Sequence, residues 1–312
     1  RALSRVSRIS STRLFELRRS GRIFLDRYLR DPKGFARGVL EVISKRLDLP
    51  PVAKFPINNP IVPISNEKFT VVILSYKRLD LLKKIIHKLQ QVTEFVAKII
   101  VVWNSVSLPL PEIKIPSTIE IKFIRPKKNS LNNRFLPWHN IGTDCVLSLD
   151  DDIAITKSQL LLGFKIWQSE RDRIVSFVPR RRDIDANGKA SYSIEKGSHY
   201  EFGLTGYALL HRNYLYEYFL SMPAAFRSFV DGRQNCEDIA MNYLVANLSR
   251  RPIISVTFDG TLNMVRNLTG LSSRSNHLVV RSDCVAFFEA AYGYNPLQSS
   301  YYQAAKHNSI TK

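Results

Sequence analysis

Three consecutive aspartates, Asp150, Asp151 and Asp152, end the stretch C-V-L-S-L-D-D-D and are followed by the apolar I-A-I. Adjacent carboxylates repel one another, and after an apolar run they are costly to bury without a cation. Oxygen donors of this kind suit Mg²⁺ or Mn²⁺, which one or two carboxylates can hold while positions stay open for phosphate oxygens. Acids are also favoured ahead of a helix, so a solvated capping loop is the other reading of the triplet taken alone. A second acidic pair, Glu237 and Asp238, lies in N-C-E-D-I-A-M-N-Y-L. The spacing of Ile239, Tyr243 and Leu244 predicts a helix there, apolar on one face, with both acids in its first turn. Arg78, Arg134 and Arg274 are cations that could complete an anion site with these acids. Each read singly is an ordinary surface charge.

The elements that must position these residues follow from hydrophobic patterning. F-T-V-V-I-L-S-Y, from Phe69, and K-I-I-V-V-W-N, Lys98 to Asn104, are short runs rich in β-branched residues that predict strands buried on both faces. I-E-I-K-F-I, Ile119 to Ile124, alternates as a third strand; C-V-L-S-L is a fourth, and R-I-V-S-F-V-P, Arg173 to Pro179, a fifth. Leu82, Ile85, Ile86 and Leu89 recur at helical spacing, as do Leu160, Phe164 and Trp167. Strands alternating with helices predict an α/β fold with a mostly parallel sheet, whose ligand lies outside the carboxyl ends of the strands. Asn104 and the three aspartates fall at two such ends. No glycine-rich phosphate loop is present, so a bound nucleotide would be held by a metal and side chains.

The chain has 312 residues and a net charge of +19, with hydrophobic residues at 45%, a globular composition. Residues 1–66 supply 9 of those positive charges and end in the Pro-rich P-P-V-A-K-F-P-I-N-N-P-I-V-P-I. This predicts a basic, extended stem or linker over 1–66 and a compact domain over 67–312. The rest is only moderately basic and lacks zinc-finger spacing or a base-stacking motif, so no nucleic-acid partner is expected. No uninterrupted apolar run reaches the ~20 residues that cross a bilayer. The chain begins at Arg1, so an upstream part is expected, where a membrane anchor would lie. Three cysteines, Cys145, Cys236 and Cys284, and two N-x-Ser/Thr sequons, at Asn247 and Asn267, suit an oxidising compartment.

Taken together, F-T-V-V-I-L-S-Y-K-R, V-V-W-N, K-N-S-L-N-N-R-F-L-P-W, V-L-S-L-D-D-D, R-D-R-I-V, N-C-E-D-I-A-M-N-Y-L-V, R-S-D-C and Y-G-Y-N-P-L make the sequence from about Phe69 to about Leu297 resemble a known family. It is that of the exostosin and exostosin-like heparan-sulfate glycosyltransferases, glycosyltransferase family 64, in their carboxyl-terminal catalytic domain. K-N-S-L-N-N-R-F-L-P-W is most similar to the exostosin-like members that initiate chains. The resemblance implies a nucleotide-diphospho-sugar transferase fold of the GT-A type, in one Rossmann-like domain. It implies Mn²⁺-dependent, retaining transfer of N-acetylglucosamine in α linkage from UDP-GlcNAc to a glycosaminoglycan chain or its linkage region.

By the same resemblance Asp152 is the metal ligand, and Asp150 and Asp151 contact the metal shell, ribose and sugar. Arg78, Asn104 and Asn129 contact the uridine portion, and Arg134 meets the donor near Asp150. Asp238 lies by the transferred sugar and the acceptor hydroxyl with Glu237 beside it, and Arg274 neutralises the diphosphate. Cys236 and Cys284 are implied to form a disulfide, leaving Cys145 as a buried thiol. A type II protein of the endoplasmic reticulum or Golgi membrane, with a lumenal catalytic domain and assembly with itself or a related chain, is implied as well. Three departures stand out. Leu74 takes the place of a polar residue found in some members. Val178 to Asp185 lacks the usual aromatic pattern, and Tyr207 replaces a small residue. The last two are expected to border the acceptor, which makes a catalytically weak or inactive partner subunit the alternative to an enzyme.

Overall fold

The computed structural model describes residues 67–112, 118–136, 139–257, 275–301 and 303–305. The stem expected over 1–66, Arg274 and Asn267 lie outside the described residues. In chain order the strands are β1 (Phe69–Ser75), β2 (Val96–Trp103), β3 (Glu120–Ile124), β4 (Cys145–Asp150), β5 (Val175–Ser176), β6 (Pro179–Ile184), β7 (Ala190–Ser193), β8 (Phe202–Gly203), β9 (Tyr207–His211), β10 (Ile254–Thr257) and β11 (Gln303–Ala305). The helices are α1 (Leu79–Leu89), α2 (Lys157–Ser169), α3 (Asn213–Leu220), α4 (Ala224–Arg233), α5 (Glu237–Ser249) and α6 (His277–Tyr292).

Eight strands form one sheet in the order β11-β10-β5-β9-β4-β1-β2-β3. Every pair is parallel except those of β9, which runs antiparallel to both β4 and β5. The fold is therefore mixed α/β around a mostly parallel sheet. All seven residues of β1 are buried, because the sheet is covered on both faces. Phe69, Val71 and Ile73 enter a core with Leu82, Ile85, Ile86 and Leu89 of α1 and with Leu160, Phe164 and Trp167 of α2. Val72 and Leu74 point to the other face, into a core built with α3, α4, α5 and α6. Burying each of those aliphatic side chains contributes about 1.5–3 kcal/mol. Thr156 caps α2 by accepting the Gln159 N–H at 3.3 Å.

Two expectations change in the structure. R-I-V-S-F-V-P, expected as one strand, gives the main sheet only Val175 and Ser176; the chain then leaves it, and Pro179–Ile184 becomes the centre of a separate three-stranded sheet, β7-β6-β8. The Ser176 hydroxyl accepts the Val178 N–H and Phe177 N–H bonds Tyr207 O, so backbone donors are satisfied without the ladder. α5, expected to be apolar on one face, is buried at every position except Asn247. It packs against α3, α4, α6 and β8 and so has no solvent face.

The parallel order places a switch point between β1 and β4. The connection after β1 leads to β2 on one side, while β4 lies on the other. A crevice outside the carboxyl ends of two strands at such a point is where ligands of open α/β sheets bind.

Candidate active site

Asp150 is the last residue of β4, in register with Leu74 of β1, so the aspartate triplet opens at that switch point. Its backbone N–H bonds Gly206 O at 2.8 Å, and the chain from Gly206 runs straight into β9. A Cβ on Gly206 would lie 2.2 Å from Asp150 Oδ2, so only glycine lets the T-G-Y turn pass this carboxylate. On the other side, Lys77 takes a left-handed conformation with φ 58° directly after β1. Its N–H bonds Ser105 Oγ at 2.7 Å, and this turn delivers Arg78 to the aspartates. Arg78 Nη1 meets Asp152 Oδ2 at 2.6 Å and Nη2 meets Asp151 Oδ1 at 3.1 Å. Ser75 Oγ donates to Asp151 Oδ2 at 2.6 Å.

Arg134 links the two acidic segments. It sits in a five-residue 3₁₀ helix, Leu131–Phe135, and is buried. Its Nη2 bonds Asp150 Oδ1 at 2.6 Å, and its Nε lies 3.3 Å from Glu237 Oε1. Glu237 and Asp238 begin α5 as expected, in the first turn where the helix dipole favours anions. Ahead of them Gln234 and Cys236 both adopt positive φ, 48° and 76°, without being glycine. Such conformations cost on the order of 1–3 kcal/mol and persist where the surroundings hold them. Here the Cys236–Cys284 disulfide ties the turn to α6, and Asn235 Oδ1 accepts the Cys236 N–H at 2.8 Å. Cys145 is a buried free thiol.

Arg281 on α6 was not among the residues picked out from the sequence. Its guanidinium bonds Asp238 Oδ2 at 2.5 Å and Asn235 Oδ1 at 3.1 Å, and it lies 4.1 Å from the Tyr192 ring centre. The signal was present in R-S-D-C: Arg281 precedes Cys284 by one helical turn, and Cys284 is bridged to the residue before Glu237. Arg274, the cation singled out instead, lies outside the described residues. Asp238 Oδ1 is buried and, among the described residues, has no hydrogen-bond partner. It is a buried acceptor with its capacity unused.

The titration behaviour matches this crowding. Burial pushes Asp151 up to about 7, against the opposing help of Ser75 and Arg78. Burial and then Asp150 raise Asp152. Burial raises Glu237 to about 7, opposed by Arg134 and reinforced by Asp238. Burial disfavours the charge on Arg134, but Asp150, Glu237 and Asp238 outweigh it and raise the group; Asp238 does the same for Arg281.

The donor chemistry fits a hard divalent ion. Carboxylates at the end of β4 are short of positive charge, and the side chains of Asp150 and Asp152 remain 35% and 20% exposed. No three His, Cys, Asp or Glu side chains converge among the described residues, so the protein would supply one or two ligands and leave the rest to other oxygens.

Other expected site residues have structural partners or surroundings of their own. Asn104 is buried and uses both ends of its amide: Nδ2 donates to Ser130 O at 2.9 Å and Oδ1 accepts from Asn133 Nδ2 at 2.7 Å. It holds the segment carrying Arg134. Asn129 is exposed in that segment. Asn247, whose sequon marks a glycosylation site, lies in α5 with its amide oxygen accepting from Tyr294. Tyr207, expected beside the acceptor, is fully buried in the core with α1 and α2 and stacks on Phe177 at 4.0 Å, on the face of the sheet away from α5. That departure concerns packing and gives no support to an altered acceptor side.

Residues 69–309 match the Glycosyl transferase family 64 domain. The chain is 42% identical over 238 residues to the Exostosin-like-3 homolog of Caenorhabditis elegans, covering 76% of this chain and 29% of that protein. It is 32% identical over 313 residues to Exostosin-2 of Homo sapiens, covering 93% and 43%. Glycosylinositol phosphorylceramide mannosyl transferase 1 of Arabidopsis thaliana is 34% identical over 253 residues, with 75% of each chain covered. The chain thus spans less than half the length of the first two relatives.

Proposed function

The chain belongs to glycosyl transferase family 64, and from that premise we propose that it transfers N-acetylglucosamine from UDP-GlcNAc to a glycosaminoglycan acceptor, with α linkage and retention of configuration, using Mn²⁺. The observation that carries the reading is Arg134, buried between Asp150 and Glu237, which makes one site of the two acidic segments. In this reading Asp152, with Asp150 beside it, holds the metal. When bound, the metal supplies Lewis-acid stabilisation of a diphosphate leaving group.

The chain's own residues do the remaining work. Arg78 neutralises Asp151 and Asp152, and with a cation held at Asp152 its guanidinium would be available to the nucleotide. Arg134 orients Asp150 and Glu237 and opposes the burial of the Glu237 charge. Arg281, with Arg274 as a second cation, offsets negative charge developing on the diphosphate. Asp238, held through Oδ2 by Arg281, offers Oδ1 to the sugar or to the acceptor hydroxyl. A carboxylate there stabilises an oxocarbenium-like anomeric carbon, by analogy with glycoside hydrolysis.

A lumenal setting in the endoplasmic reticulum or Golgi, anchored by a segment upstream of this chain, completes the proposal. Among the described residues no helix is long and apolar enough to cross a membrane. One relative is named as a mannosyl transferase, so the donor is the quantity to measure. The protein is incubated with Mn²⁺ and a heparosan or linkage-region acceptor, and with UDP-GlcNAc, UDP-GalNAc or GDP-mannose in turn. Transfer from UDP-GlcNAc that is lost in Asp152→Ala is expected. Transfer from another donor alone would replace the sugar in this reading, and transfer from none would end it.

A further inference from the structure

Arg134 reaches the site from a five-residue 3₁₀ helix, an element too short to fix its own position. Its placement must come from outside: Asn104 braces the segment on one side, and three further contacts converge on one carboxylate. Asp231, on α4, accepts from Lys128 Nζ at 2.5 Å, from the Ser130 hydroxyl, and from Asn132 Nδ2 at 2.9 Å. With its proton given to Asp231, the Ser130 oxygen is free to accept the Asn132 N–H at 3.1 Å, which caps the 3₁₀ helix. Asn132 in turn accepts from Tyr218 Oη at 2.6 Å and donates to Arg227 O at 3.0 Å.

The location of Asp231 within its own helix is unfavourable. It lies in the last turn of α4, where the helix dipole disfavours an anion. Within α4 Arg227, one turn earlier, attracts it, but the hydrogen bonds that its carboxylate accepts come from the segment before Arg134. The contacts Asp231 makes are to residues 128–132, so its hold on Arg134 runs through that segment.

We propose that Asp231 is the positioning residue of the site: by organising Lys128, Ser130 and Asn132 it sets Arg134 between Asp150 and Glu237 and thereby controls donor affinity. This rests on the donor-site reading above, and the test separates the two. The affinity for UDP in the presence of Mn²⁺ is measured by calorimetry for the native protein, Asp231→Asn, Arg134→Lys and the double variant, together with amide hydrogen exchange across 130–135.

Asp231→Asn is expected to weaken UDP binding about tenfold in the Arg134 background and to have almost no further effect in Arg134→Lys, the non-additivity of residues acting through one another. Exchange across 130–135 is expected to rise while the sheet stays protected. An equal loss in both backgrounds, or no loss in the first, overturns the proposal. If the native protein binds no UDP, the donor reading fails, and exchange alone then decides on Asp231, with unchanged protection overturning its role. Should Asp231→Asn fail to fold, Lys128→Met, which removes one donor to Asp231 and leaves the Ser130 cap in place, is used in the same cycle.

Discussion

Arg134 is the residue on which the site turns. It is buried beside the buried Glu237 and also pairs with the half-exposed Asp150, so removing its charge leaves Glu237 an acid that solvent compensates poorly. Arg134→Met is expected to lower stability by about 3 kcal/mol, measured by urea unfolding, chiefly because the buried Glu237 loses its partner while solvent screens Asp150. Arg134→Lys retains the charge but not the planar fork, and should fold while raising the donor KM more than it lowers kcat.

His211 gives a test away from the site. Burial lowers its pKa to about 4, and Asp144, Arg212, Arg171 and Glu67 surround it. Its Nδ1 accepts the Asn213 N–H at 3.2 Å, which requires the neutral ring. Between pH 6.5 and 4 the unfolded chain binds the proton and the folded one does not, so stability is full above about 6.5 and falls with pH by on the order of 3 kcal/mol. Unfolding midpoints measured against pH should show this slope, and His211→Gln should flatten it.

At the scale of elements, two connections hold the acids in place. The Cys236–Cys284 bridge, with a sequence separation of 48, fixes the strained turn before α5 to the helix that carries Arg281. Loop-closure entropy puts its contribution at about 4 kcal/mol. The Cys236→Ser, Cys284→Ser double variant should lose stability of that order, and should lose transfer activity at temperatures where it is still folded, as Asp238 and Arg281 drift apart. Gly206→Ala should displace Asp150 from Arg134 without unfolding the sheet. A donor KM that rises at nearly constant melting temperature would show this.

The elements were legible in the sequence to the extent that their residues carry a period. The two-faced burial of β1 and the α1 positions Leu82, Ile85, Ile86 and Leu89 are written in the chain. The departure of the chain after Ser176 depends on bonds to Leu204 and Tyr207, remote residues that no local pattern announces. The same holds for α5, whose burial all round reflects its neighbours and not its own periodicity.

For the whole molecule, acid motifs at strand ends and basic residues nearby could be read from the sequence, but their pairing could not. Arg78, expected at uridine, also pairs with Asp151 and Asp152, and Asn104, expected there too, also braces the Arg134 segment. In both cases the side chain's type was informative and its partner was decided by topology. Arg281 was missed because a lone arginine in a helix has no motif of its own; only the bridge and the α5 turn give it meaning. The family match begins at residue 69, so a chain lacking residues 1–66 is expected to bind UDP with Mn²⁺ as the full chain does, measured by calorimetry.

The central claim is that the triplet at β4 and the pair at α5 form a single sugar-transfer site. Acceptor-dependent release of UDP from UDP-GlcNAc, compared between the native protein, Asp152→Ala and Asp238→Ala, tests it most directly. Each substitution is expected to lower the rate by about a hundredfold or more, with Asp238→Ala still binding UDP. Transfer that persists in Asp238→Ala at the native rate would contradict the account.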